Sequence, residues 1–291
     1  MARSPARALL LLLVLHGALV APAHAQDNYE IQVYGAETVP KGRTLVELHS
    51  NFTASGRTQP RDGLLATDHA LHETLEVTRG LSDWAEVGVY LFTSARRGDG
   101  VQWVGNHIRP RVRAPESWHW PVGASLSAEI GYQRAAFSAD TWTFELRPIV
   151  DRQVGPWYAA VNPTLGRSLH GPATARGVEF SPSATVGRDV TSRVNLAAEY
   201  YSTLGTLRAF DARAEQQQQL YGVVNLNVGP DWEVNLGYGQ ALSGAGDRQL
   251  LKLILGRRLG RRPASATELP ASSRASRERP DEMRQNTSVE P

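Results

Sequence analysis

The chain has 291 residues, a formal net charge of +2 and no cysteine. A net charge this small gives no support for binding to nucleic acid, and the lack of cysteine excludes a disulfide framework and a cysteine-linked lipid anchor. The mean hydropathy is −0.34, and no apolar run after residue 25 approaches the length of a membrane helix. A membrane β-barrel stays compatible with these values, because half of each barrel strand faces a polar interior.

Residues 1–25 have the three parts of a secretory signal peptide. Two arginines stand in the first seven residues, a Leu- and Val-rich core follows at 8–20, and Ala23-His24-Ala25 forms a small-x-small cleavage site. The core is too short to cross the bilayer, since a spanning helix needs about 20 apolar residues. We therefore predict export, with the mature chain starting at Gln26.

Residues 27–42 contain the turn formers Gly35, Pro40 and Gly42 and are predicted to lead into the first strand. The segment 64–93 predicts a β-hairpin, in which apolar and polar residues alternate on both sides of a turn at 80–83. A period of two places apolar side chains on one face of a strand and polar side chains on the other.

The same alternation recurs along the chain and predicts an all-β, antiparallel up-and-down transmembrane barrel of about twelve strands, which occupies residues 26–260. Three short links, at 80–83, 155–156 and 229–231, fall on alternate connections, as periplasmic turns do. The predicted strands lie at 43–54, two within 64–93, 101–113, 123–135, 141–154, 157–169, 177–190, 193–203, 217–228, 232–242 and 249–259.

Aromatic and proline residues add detail to this prediction. Tryptophans near the strand ends are typical of the aromatic girdles of membrane barrels; these are Trp84, Trp118, Trp120, Trp157 and Trp232. Prolines inside predicted strands each remove one backbone donor; these are Pro110, Pro148, Pro163 and Pro182, all on the predicted outward face. Residues 261–291 are rich in Arg, Pro, Ser and Glu, and we predict a disordered tail there.

The inward face collects charged side chains, whatever the barrel does. They have two interpretations, which are compatible. In the first, the charged groups pair with one another in a water-filled or plugged lumen; in the second, they form a surface that attracts one class of solute. The candidate lumen-lining residues are Glu47, Glu76, Glu86, Arg109, Arg111, Glu129, Glu145, Arg147, Glu179, Glu199, Glu233 and Lys252.

Catalytic and metal motifs are weak in this sequence. His69 and His72 are three residues apart, and this spacing points them to opposite faces of a strand. The chain has neither an HExxH motif nor a GxSxG elbow. We predict no catalytic site, no metal site and no cofactor, with a hydrolase centred on His107 or His49 as the enzymatic alternative.

Several short motifs carry a resemblance to a known family. They are YGAETVP at 34–40, VELHSN at 46–51, HETLE at 72–76, DWAE at 83–86, RPR at 109–111, PESW at 115–118, ELRP at 145–148 and FSP at 180–182. With these motifs the chain resembles, over residues 27–260, an uncharacterised family of bacterial outer-membrane β-barrel proteins. That family is similar to outer-membrane transporters associated with aromatic (phenol meta-pathway) degradation.

The resemblance implies an outer-membrane channel or transporter for small solutes, and implies no catalytic residue. The expected partners are the outer-membrane lipid bilayer, a small-molecule solute and the outer-membrane assembly machinery, and nucleic acid is not expected. Two alternatives are a plugged barrel with a structural or adhesive role and a soluble periplasmic β-sandwich.

Overall fold

A computed structural model describes residues 28–261 of the chain. The predicted signal peptide and nearly all of the predicted tail lie outside these residues. The described chain consists of strands, turns and two short 3-10 turns at Glu116–Trp118 and Pro172–Ala175. Within residues 28–261, no helix is long and apolar enough to cross a membrane.

Twelve long strands and two short ones make up the sheet. The strands are β1 (Thr44–Ser55), β2 (Leu71–Ser82), β3 (Ala85–Arg96), β4 (Gly100–Arg113), β5 (Gly123–Gln133), β6 (Trp142–Val154), β7 (Trp157–His170), β8 (Glu179–Asp189), β9 (Val194–Thr203), β10 (Gly205–Thr206), β11 (Ala209–Phe210), β12 (Gln217–Leu226), β13 (Trp232–Ala241) and β14 (Gln249–Leu259). The two-residue strands β10 and β11 form a side hairpin beside β8.

The twelve long strands close into an antiparallel barrel. Each pairs with its neighbours along the chain, and the ring closes where β1 pairs with β14, from Thr44 opposite Leu259 to Ser55 opposite Gln249. The connection from β9 to β12 carries the side hairpin without breaking the ring, since β8 pairs with β9 and β9 with β12. The predicted twelve-stranded up-and-down barrel is confirmed.

The barrel is polar inside and apolar outside. On β1, His49, Asn51 and Thr53 are buried on the inner face, while Leu48 on the outer face is 40% exposed. The other long strands expose Leu, Val, Ile and Phe in the same way; examples are Val89, Ile108, Leu126, Phe144, Val161, Val186, Leu236 and Leu255. An exposed apolar belt around a closed barrel is suited to lipid and not to water, so the barrel lies in a membrane.

Tryptophans mark both rims of this belt. At the end with short turns, Trp84, Trp118, Trp120 and Trp157 are about half exposed. At the opposite end, which carries the longer loops, the ring of Tyr132 packs between Trp103 and Trp142 with centroid separations of 5.9 and 5.5 Å. Two girdles at a spacing set by the strand length are typical of membrane barrels, whose short turns face the periplasm.

Pro110 and Pro148 each lie at a gap in the hydrogen-bond ladder, and neither gap shifts the register of the strands. The β4–β5 pairing skips from Ile108 to Arg111, across Pro110, and the β6–β7 pairing skips from Leu146 to Val150, across Pro148. The pairing resumes in the same register on the far side of each gap. Each gap follows from the missing proline N–H, and a closed barrel tolerates it because the remaining ladder fixes the strands.

The outward apolar belt predicts a depth-dependent cost for a new charge. Val89 lies in the middle of β3 and is 52% exposed. The substitution Val89→Arg should lower the free energy of unfolding of the barrel in lipid by about 2 to 4 kcal/mol. The matched control is Val101→Arg at the loop end of β4, which should cost about 0 to 1 kcal/mol. Urea unfolding of both variants in lipid vesicles, followed by gel mobility without heating, measures the difference; equal costs would contradict the assigned membrane depth.

Candidate functional site

The lumen of the barrel is occupied by residues 28–43, which we call the lumen segment. It starts at the loop end, where the Asn28 amide donates to Oδ2 of Asp247 at 2.5 Å. It ends at the short-turn end, where Gly42 N donates to the carbonyl of Gly80 at 3.0 Å. Before β1 begins, the chain has therefore passed through the whole barrel, and the sequence-based prediction of a simple lead-in is incomplete.

Side chains of the barrel wall satisfy the backbone of the lumen segment. Asn162, fully buried on β7, accepts from Tyr34 N at 2.8 Å and donates to the Tyr34 carbonyl at 3.0 Å. Asp151 accepts from Ala36 N at 3.0 Å. A buried backbone without a neighbouring strand needs such partners, so these wall residues take the place of a ladder.

The same arrangement continues toward both ends of the segment. Thr74 Oγ1 donates to the Tyr29 carbonyl at 2.6 Å, and Lys252 Nζ donates to the Ile31 carbonyl at 3.1 Å. Near the short-turn end, a carboxylate oxygen of Glu86 accepts from the backbone N–H of Val39 at 2.6 Å. The contacts are spread over strands on several sides of the barrel, and they centre the segment in the lumen.

Tyr34 is the centre of the lumen segment. Three guanidinium groups lie against its ring. Their Cζ atoms are 4.5 Å (Arg109), 4.7 Å (Arg147) and 5.7 Å (Arg111) from the ring centroid. Its hydroxyl donates to the carboxylate of Glu30. Ring faces attract cations most strongly where water is excluded, so Tyr34 holds a layer of arginines together across the lumen.

Each of these three arginines forms an ion pair with a carboxylate. Arg109 pairs with Glu76 at 2.7 Å and Arg111 pairs with Glu86 at 2.7 Å. Arg147 pairs with Glu145 at 2.5 Å. Charged groups this deeply buried are stable only when paired, so the network fixes the side chains that surround the lumen segment.

The structure places every candidate lumen-lining residue inside the barrel, in three groups. Glu47, Glu76, Glu86, Arg109, Arg111 and Glu233 surround the short-turn half of the lumen segment, where Glu233 pairs with Arg258. Glu129, Glu145, Arg147 and Glu179 border the loop half, where the Glu129 carboxylate lies 2.5 Å from Nδ1 of His107. Glu199 and Lys252 pair with each other at 2.5 Å beside Ile31. Whether solutes pass along these residues remains a prediction.

Two cavities flank the arginine layer. The larger, of about 980 Å³, opens at the loop end and includes Tyr29 and Glu30 in its wall. The smaller, of about 70 Å³, lies toward the short turns and includes Tyr34 and Val39. The two share no lining residue, so the lumen segment and its arginine layer separate them.

The outer loops hold the start of the lumen segment. Besides the contact with Asn28, Asp247 accepts from Thr67 Oγ1 at 2.5 Å and from Arg57 N at 3.3 Å. Nearby, the backbone N–H of Gly56 and the ring of His69 hold the pKa of the Asp68 carboxyl below its usual range. Both contacts favour the carboxylate, so the hydrogen bond from Gly56 N to Asp68 Oδ1, 3.0 Å long, persists to a lower pH than an ordinary aspartate would allow.

Comparison with known proteins gives the fold. No protein-family model matches the sequence, and no curated protein matches it. Among solved structures, a COG4313 outer membrane channel from Pseudomonas putida F1 is 13% identical with a TM-score of 0.53, over 79% of this chain and all of that one. The NanC porin is 8% identical with a TM-score of 0.51, over 75% of this chain and all of that one.

The likeness to these two structures shows a shared fold. It carries no information on the solute, because the sequence identity is low. The first is an outer membrane channel and the second a porin, in agreement with the apolar belt of this barrel and with its location in the outer membrane. The predicted link to aromatic degradation is not part of what they show. This chain therefore has the fold of an outer-membrane β-barrel channel.

The ion pair between Lys252 and Glu199 should stabilise the lumen strongly. Lys252→Met keeps the side-chain volume but leaves the Glu199 carboxylate, 3% exposed, without its cation, which should cost about 3 to 5 kcal/mol. The double variant Lys252→Met with Glu199→Gln should recover much of this loss. Equilibrium unfolding of the four proteins of the cycle measures the coupling; purely additive effects would contradict the pairing.

Proposed function

We propose that the protein is an outer-membrane channel for small solutes, and that the lumen segment controls their passage. The observation that carries this proposal is the separation of the two lumen cavities by the lumen segment and its arginine layer. A solute entering from the loop end meets a cavity of about 980 Å³ and then a closed layer. Passage requires the lumen segment to move.

The way the lumen segment is held supports movement. It is in no strand of the sheet, and wall side chains bind its backbone at separate points. Each such hydrogen bond contributes about 0.5 to 1.5 kcal/mol, whereas removing a wall strand would break two complete ladders. A displacement of the segment therefore leaves the barrel closed in the membrane.

The lining of the larger cavity supports a small polar or charged solute. It contains eight carboxylate side chains and six arginines, and this near balance predicts only a weak preference for cations. Its volume is in the range of pockets for small molecules. Three aromatic rings also border the cavity and offer apolar faces to a solute that carries an aromatic ring; these are Tyr29, Phe92 and Phe137.

The structural alternative uses the same lumen segment as a permanent plug. In a plugged barrel the lumen stays filled. Such a barrel would give no ion current even when mutations weaken the contacts of the lumen segment with the wall. The enzymatic alternative would show as hydrolysis of an acyl or glycosyl substrate by the folded protein. Planar-bilayer recording separates the channel from both.

Weakening the contact at Asn162 should open the channel. Asn162→Ala removes the two-point bond to Tyr34, so the segment should leave its closed position more often. Single-channel recording of the refolded protein should then show a higher open probability. The ratio of open to closed time should rise about tenfold for each 1.4 kcal/mol by which the substitution lowers the free energy that favours the closed position.

The matched control is Thr164→Ala, two residues along β7. The Thr164 hydroxyl is buried in the same wall, and among the hydrogen bonds of residues 28–261 it donates to the Asn162 carbonyl, at 3.4 Å, and not to the lumen segment. It should behave like the unchanged protein. Silent bilayers with the wild-type protein, with Asn162→Ala and with a variant lacking residues 28–39 would reject the channel and favour the plugged barrel.

Charge at the larger cavity should set the weak ion preference. Glu145 borders this cavity with its side chain 29% exposed, and Glu145→Gln should lower the permeability ratio of K⁺ to Cl⁻. Glu116→Gln, at an exposed short turn, is the control and should leave the ratio unchanged. Reversal potentials in a salt gradient measure both; an unchanged ratio in Glu145→Gln would remove this residue from the path.

A further inference from the structure

We propose that Glu47, His49 and Glu76 form a binding site for one divalent transition-metal ion of the class of Zn²⁺, inside the barrel at the short-turn half of the lumen. The three residues do not line the larger cavity, and Glu76 connects them to the arginine layer around Tyr34 through Arg109. It departs from the sequence-based expectation, which predicted no metal ligands.

The strand register brings the three side chains together. Glu47 and His49 are two residues apart on β1 and share its inner face. Glu76 on β2 stands directly opposite Glu47. One carboxylate oxygen of each glutamate and one ring nitrogen of His49 all lie within 4.8 Å of one another. Three donors on paired strands of a closed sheet form a rigid half-shell.

The separation of two of these donors fits a metal better than a direct bond. His49 Nε2 and Glu76 Oε2 are 3.6 Å apart, which is beyond hydrogen-bond length. Ligand atoms that share a tetrahedral zinc ion lie at about 2.0 to 2.2 Å from the metal. Two such bonds at a tetrahedral angle place the donors about as far apart as observed here.

Four buried atoms of these side chains form no hydrogen bond within residues 28–261. His49 is fully buried, and neither of its ring nitrogens forms a hydrogen bond in the described part of the chain. Glu47 Oε1 and Glu76 Oε2 are also buried without a hydrogen bond. Buried polar atoms nearly always have a partner, and three unpartnered donors that face one another point to a bound ion.

The local charge also favours a cation. Arg109 binds the other oxygen of Glu76, and Arg258 binds Glu233. Glu47, 2% exposed, forms no ion pair with any residue from 28 to 261. A proton on Glu47 would remove its charge, but it would leave the ring of His49 without a partner. A metal ion satisfies both residues.

The donor set selects the kind of ion. One imidazole nitrogen and two carboxylates suit Zn²⁺ and its first-row neighbours, whereas Ca²⁺ and Mg²⁺ prefer oxygen alone. The cavity of about 70 Å³ beside Glu47 and Glu76 has room for water on the open side of the ion. It is too small for an organic solute, so in the closed barrel the site holds a resident ion and no solute.

Metal titration of the complete mature chain, produced without a polyhistidine tag and refolded in detergent, tests the proposal. Co²⁺ is the probe, since its visible absorption reports the ligand geometry, and Zn²⁺ is then used to displace it. The folded protein should bind one ion per chain. His49→Gln and Glu47→Gln should each weaken binding by about tenfold or more.

The control variant is His107→Gln, which changes a buried histidine that lies against Glu129 beside the larger cavity. It should bind Co²⁺ as the unchanged protein does. Thermal unfolding of the wild-type protein gives a test that needs no variant, because saturating Zn²⁺ should raise its midpoint while Mg²⁺ should not. No stoichiometric binding by the folded wild-type protein, or equal affinity in His49→Gln and His107→Gln, overturns the proposal.

Discussion

The closed hydrogen-bond ring is the constraint on which the rest of this structure depends. In hydrocarbon every backbone N–H and C=O must be bonded within the protein, and the pairing of β1 with β14 meets this condition by leaving no free edge. Closure encloses a lumen, and the two-residue period of each strand then makes that lumen polar, because the opposite face must meet lipid. The charged interior is thus a consequence of the apolar exterior.

The lumen of this twelve-stranded barrel is wide enough to hold a further segment of the chain. The lumen segment uses that space, and polar wall residues such as Asn162 and Asp151 serve as substitutes for a neighbouring strand. Its tyrosine at position 34 lets three arginines lie close together, since the ring face and the surrounding carboxylates offset their repulsion. Closing the lumen and neutralising it are therefore achieved by one network.

Charge is distributed unevenly along this network. Around Tyr34 the guanidinium groups are matched by Glu76, Glu86 and Glu145. Glu47 lies opposite Glu76 in the same part of the barrel, but its Oε1 and the ring nitrogens of His49 are buried without a hydrogen bond. The proposed metal ion fills this difference, while the proposed channel function depends on the loop half of the lumen. The two proposals share Glu76, which binds Arg109 as well as the proposed ion, but metal binding and ion current are measured separately, so either proposal can fail without the other.

The sequence by itself determined the strands and their faces, because a period of two is a local property that each segment displays alone. It gave the strand number, the short turns and the side of the sheet on which Glu76 and Lys252 stand. Only the tertiary structure decided which inward residues meet, since the contact of Glu47 with Glu76 depends on the register between strands. The path of residues 28–43 through the lumen was also beyond the sequence, because a segment held by distant side chains such as Asn162 shows no periodic pattern of its own.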